Sequence, residues 1–116
     1  MSNTINTGTV AYNITYTDTT SVTMGYLPPN SSIKNIRVNV GTGFDEAVVD
    51  IGDATTANQY ANDVDVESTG SATVTMTNIG AVVSATNSSA VTAIVVPTST
   101  TLTEGSCWVY VDWVQA

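Results

Sequence analysis

The chain predicts an all-β fold: a β-sandwich of the jelly-roll kind, with about eight strands and an extended N-terminal arm. Three observations carry that prediction. Only 10% of its 116 residues are charged, and Thr, Ser, Asn and Val are abundant. β-Branched Thr and Val suit a pleated, half-buried surface, whereas Ser and Asn suit the turns between strands. Period-two alternation recurs in short segments, no segment has helical period, and turn signals separate the segments at short spacing. With no internal repeat and no linker, residues 10–116 read as one sandwich domain behind an arm at 1–9.

The elements follow in order. Residues 1–9 are small and polar apart from Met1 and Ile5, and read as an arm that orders against a neighbour. Residues 10–17 alternate, with Val10, Tyr12, Ile14 and Tyr16 on one face. A turn at Asp18 leads to a short strand at 21–26, with Val22, Met24 and Tyr26 on one side. Leu27, Pro28, Pro29 and Asn30 make a loop, because neither proline can donate to a ladder and each drives its predecessor into extended conformation. The strand at 32–40 puts Lys34, Ile36, Val38 and Val40 on one face and Ile33, Asn35, Arg37 and Asn39 on the other. Gly41, Thr42 and Gly43 turn the chain into a strand at 47–51, with Ala47, Val49 and Ile51 inward.

Residues 54–62 fit either one helical turn or an extended loop. Short strands are expected at 63–67, 73–79 and 81–85, the last two separated by Gly80. An apolar run at 90–96 is stopped by Pro97. The final strand, 106–114, is apolar on both faces: Cys107, Val109, Val111 and Trp113 on one, Trp108, Tyr110 and Val114 on the other. Such a strand is either central or buried at an interface.

Charge excludes whole classes of function. Lys34 and Arg37 stand against ten acidic residues, giving a net charge of −8. Nucleic-acid binding rests on Lys and Arg displacing counterions from phosphates, so no nucleic-acid partner is expected. Attraction to an anionic membrane fails for the same reason, and no apolar stretch approaches the roughly 20 residues needed to span a bilayer. The N-terminus lacks the positive and apolar regions of a signal peptide, which points to synthesis in a reducing cytoplasm. The single Cys107 allows no internal disulfide and reads as a small buried hydrophobe.

Catalytic chemistry finds no support. The chain has no histidine, so Ser-His-Asp and Cys-His arrangements are impossible. No Gly-rich phosphate loop precedes a helix. No enzymatic activity, cofactor or metal is expected. Asp63, Asp65 and Glu67 sit at alternate positions of one strand, but roughly 7 Å apart they are too dispersed to share one calcium ion. They read as a charged face that discourages edge pairing. Asp45, Glu46, Asp50 and Asp53 lack the EF-hand spacing and read as turn and surface residues. Tyr12, Tyr16, Tyr26, Tyr60 and Trp113 are candidates for stacking on sugars, though aromatics on sandwich strands more often serve core or interface.

One segment says more. The run LPPNSSIKNIRVNVGTGFDEAVVDIGDATTANQYANDVDVESTG, residues 27–70, resembles a segment of small virion proteins of tailed bacteriophages. In those proteins an LPxN turn precedes an I-x-x-I-x-V-x-V strand, a T-x-F-(D/N) turn, a strand ending in (V/I)-G and an acidic stretch before a Ser-Thr-Gly turn. Leu27, Pro28, Asn30, Ile33, Ile36, Val38, Val40, Phe44, Asp45, Ile51, Gly52 and Gly70 fill the pattern, while Gly43 stands where a small or β-branched residue is usual. The closing WVYVDWVQ is similar, more loosely, to their final strand. The resemblance implies a capsid decoration (cement) protein: a homotrimer on the outer capsid surface that binds the major capsid protein and stabilises the mature shell. Capsid or neighbour contacts are then expected near the N-terminus, at Ile5, Thr7, Val10 and Tyr12. The alternative is a head-fibre or tail-associated module that binds host-surface glycans.

Overall fold

The computed structural model describes residues 6–98 and 101–115. Eight strands follow one another: β1 (Asn6–Thr15), β2 (Val22–Leu27), β3 (Ser31–Thr42), β4 (Ala47–Gly52), β5 (Ala61–Asp65), β6 (Gly70–Ser71), β7 (Ser89–Pro97) and β8 (Ser106–Gln115). They form two four-stranded antiparallel sheets, one ordered β1-β8-β3-β6 and the other β2-β7-β4-β5. Strands β1 and β8, β2 and β7, β3 and β6, and β4 and β5 are therefore all hydrogen-bonded neighbours. Nested pairing of this kind is what results when a folded-back chain rolls into a sandwich, and it defines the jelly roll expected from the sequence.

Alternation along the central strands builds the core between the sheets. Val109 and Val111 of β8, Val38 and Val40 of β3, Val49 and Ile51 of β4, and Val91 and Val95 of β7 are all buried. Phe44 and Leu102, from the loops flanking β4 and β8, are buried with them. The doubly apolar β8 is central, held between β1 and β3. Cys107 is buried and unpaired. Gly43 departs from the usual residue for a plain reason: a Cβ there would collide with the Glu67 carbonyl oxygen.

Several local expectations are corrected. Residues 6–9, read as part of an arm, are the start of β1; Asn6 to Thr9 pair with Gln115 to Asp112 in an unbroken register. Partner strand β8 extends to Gln115 and pairs with them, taking the backbone groups of Asn6 and Gly8, which a polar sequence alone does not reveal. Ile5 lies outside the described residues. In β2 a bulge between Thr23 and Gly25 reverses the alternation, so Leu27 is buried and Tyr26 is turned outward. A similar irregularity between Ile33 and Asn35 buries Ile33 and exposes Lys34, the reverse of their expected faces.

The strands expected at 73–79 and 81–85 do not form. Left-handed backbone at Asn78 (φ 55°) and Gly80 (φ 85°) interrupts any ladder there. The segment instead runs along the rim of the sandwich and bonds to it at intervals. Ala72 N–H donates to Val38 O, Thr77 N–H to Tyr60 O, Gly80 N–H to Ile33 O and Val83 N–H to Ser31 O. It thereby covers the open side of β3 and reaches across to β5. Residues 54–59 form a loop, opened by Asp53, whose carboxylate accepts the Thr55 and Thr56 N–H groups at 2.9 and 2.7 Å.

Candidate interaction face

Alternation that sends Cys107, Val109 and Val111 into the core sends Trp108, Tyr110 and Asp112 to the outer face of the first sheet. Because β8 is central, these residues occupy the middle of that face. Register sets their neighbours: Trp108 lies between Asn13 of β1 and Asn39 of β3, and Tyr110 between Ala11 and Arg37. Trp108 remains 45% exposed, unusual for a large aromatic in mid-sheet.

The polar side chains around it are interlocked. Trp108 and Tyr110 stack with ring centroids 6.2 Å apart and planes 21° from parallel. The Arg37 guanidinium sits 4.6 Å over the centre of the Tyr110 ring. From there Nε and Nη2 of Arg37 reach Asp112 Oδ2 and Oδ1, each at 3.2 Å. Thr9 Oγ1 donates to Asp112 Oδ1 at 2.7 Å. Desolvation works against the Asp112 carboxylate, but the Thr9 and Arg37 hydrogen bonds and the Arg37 and Lys34 charges outweigh it and hold its pKa below 3.8. A groove of about 580 Å³ runs beside this strip, between β3 and residues 71–76, with Arg37, Asn39, Met76 and Tyr110 among its walls.

Such a surface is suited to binding rather than to bond-making. Trp, Tyr and Arg are the residues most enriched among those that dominate interface energetics. Here all three are pre-ordered, so little side-chain entropy remains to be lost on docking.

Thr7 is exposed on β1, next to this face. Val10 and Tyr12 are half-buried against the core. Of the aromatics proposed for sugars, Tyr60 is buried and Trp113 packs on the core, while Tyr16 and Tyr26 are exposed away from the strip. Trp108 is not among those aromatics; what marks it in the sequence is its position opposite the core phase of the most apolar strand.

The acidic residues serve turns. Asp45 accepts the Thr103 N–H and hydroxyl, which together with Glu104 N–H hold its pKa below 3.8 against some desolvation. Asp50 accepts the Asp63 N–H at 2.8 Å and Asp65 the Glu67 N–H at 2.9 Å. Among the described residues, no three His, Cys, Asp or Glu side chains converge as a metal site.

The strand order defines a jelly-roll sandwich, and one solved structure resembles it in outline. No protein-family model matches the chain, and no curated protein does. A chain of the cyanophage Pam1 capsid asymmetric unit superposes with a TM-score of 0.67 at 22% identity. The match covers 97% of this chain and 84% of that one. The two share the fold over nearly their whole lengths.

Proposed function

We propose that this protein is a decoration protein of a tailed-phage head, bound to the major capsid protein on the outer capsid surface. The observation that carries the proposal is the end-to-end likeness to a cyanophage capsid chain. The phage-type segment at 27–70 supports it independently. In this reading the protein is made in the host cytoplasm, assembles as a homotrimer and performs no catalysis. Its action is mechanical: each copy adds contact between capsomers, and apolar area buried there contributes about 25 cal/mol per Å². Closed cyclic symmetry makes the trimer finite. The Trp108–Tyr110–Arg37 strip is the docking surface.

The test is to mix purified protein with expanded, undecorated shells. Stoichiometric co-sedimentation and a higher disruption temperature are expected, with trimers or paired trimers by light scattering before mixing. Monomers in solution, or shells that neither bind nor gain stability, would count against it.

A second reading has one specific observation behind it. Trp108 is an exposed ring with an asparagine amide on each side in register, an arrangement that suits a pyranose face and its hydroxyls. Under this reading the protein is a head-fibre or tail-associated module. It predicts quenching of tryptophan fluorescence by host-surface glycans and no effect on shell stability.

A further inference from the structure

The sandwich has four lateral edges, and three carry features that resist pairing with another strand. Strand β2 is bulged between Thr23 and Gly25 and runs into Pro28. Strand β5 is short, carries Asp63 with φ 56°, and has an irregular register with β4. Strand β6 has two residues, and the rim segment beyond it covers β3. Strand β1 has none of these devices. It runs ten residues, contains no charged residue or proline, and pairs with β8 without a register shift. A long, regular, uncharged edge is what folded proteins ordinarily avoid unless another strand occupies it.

Hydrogen-bond phase identifies the groups on offer. Tyr16 N–H donates to Gly105 O, on the β8 side. Thr15 points the other way: its N–H donates to Asp18 Oδ2 at 2.9 Å and its carbonyl accepts the Asp18 N–H at 2.9 Å. Alternation back along the unbroken ladder turns the N–H and C=O of Asn13, Ala11, Thr9 and Thr7 to the open side. Among the described residues nothing bonds to them there.

We infer that this edge pairs with the same edge of a second copy, antiparallel about a two-fold axis at Val10. In that register Thr7 faces Asn13 of the second copy and Thr9 faces Ala11, so every outward backbone group on both strands is satisfied. The side chains agree. Val10 meets Val10, and bulky Tyr12 meets Gly8, beneath which the Trp113 ring already lies. The outer-face pairs are small, Thr with Asn and Thr with Ala. In a chain of net charge −8, β1 offers an edge strand on which two copies can approach without apposing carboxylates. The contact is isologous, so it can join two closed rings without opening either, and it merges two outer faces into one continuous sheet. It is independent of what that face binds.

Cysteine cross-linking tests the register directly. Val10 would sit about 4.5 Å from its own copy, Cα to Cα, as a non-hydrogen-bonded pair. Disulfides bridge roughly 4.4–6.8 Å. Under mild oxidant, Val10→Cys should become mostly a covalent dimer of twice the 12.0 kDa chain mass. Tyr26→Cys, more exposed to oxidant on the bulged β2 edge, should not. Adding Ala11→Pro to Val10→Cys deletes an edge-facing N–H while leaving the β8 ladder intact, and should abolish the dimer band. Should Val10→Cys disturb packing, Thr9→Cys mixed with Ala11→Cys reads the same register from exposed positions, and the mixture should cross-link well beyond either variant alone. Folded variants that cross-link no better than Tyr26→Cys, or a dimer unaffected by Ala11→Pro, would overturn the inference.

Discussion

Arg37 grips Asp112 through Nε and Nη2, at 3.2 Å each, from the strand position directly opposite Tyr110. The guanidinium thus covers its direct neighbour's ring and reaches the diagonal carboxylate on the same strand. One of the chain's two cations is committed to ordering the outer face of β8. Its stability value is small, because the arginine side chain is 54% exposed and surface pairs contribute about 0–1 kcal/mol.

Asp112 reports on this arrangement through its titration. A carboxyl whose folded pKa lies below its unfolded 3.8 stabilises the fold above that pH, and the contribution is lost as pH falls through the folded value. Arg37→Ala should therefore move the Asp112 midpoint up toward 3.8, as followed by NMR of the side-chain carboxyl. Thr9→Val should move it the same way. Stability at neutral pH should change by no more than about 1 kcal/mol.

Trp108 and Ile51 should separate binding from folding. Ile51 is fully buried, and Ile51→Ala should cost about 2–5 kcal/mol in denaturant unfolding. Trp108→Ala removes a half-exposed ring and should leave the unfolding midpoint nearly unchanged. Its effect should appear in partner affinity, at about 2 kcal/mol or more.

Gly105 couples β8 to the loop that carries Phe44. Its φ of 142° is rarely adopted by residues with a side chain, and a Cβ would run into the buried Phe44 ring. Gly105→Ala should destabilise the fold by about 1–3 kcal/mol in thermal or chemical unfolding. Thr101→Ala nearby on the exposed surface should not.

Cys107 should be chemically silent in the native protein. Burial, with a smaller effect from the Asp18 charge, pushes its thiol up to about 12, and only the thiolate reacts readily. Thiol reagents near about pH 8 should label it only after denaturation. Labelling of the folded protein would mean that β8 opens locally.

The strands were legible wherever alternation ran unbroken, as from Ile36 to Val40 and from Cys107 to Val111. Legibility failed where backbone geometry changed phase without leaving a residue signature. The bulge before Gly25 sent Tyr26 outward, and the irregularity near Lys34 exchanged it with Ile33. Alternation in 73–79 is genuine, yet Asn78 and Gly80 adopt left-handed backbone that ends any ladder. The candidate face was harder to foresee. Its ring stacking follows from spacing along β8, but Arg37, Asn13 and Asn39 join only through cross-strand register, which depends on β8 lying between β1 and β3.

Cryo-electron microscopy of the intact particle would locate the protein and show which face it docks. Jelly-roll density is expected on the outer head surface, with the Trp108 face of the β1-β8-β3-β6 sheet turned toward the shell protein. Density confined to a tail or fibre, or head density with that face turned to solvent, would contradict that placement.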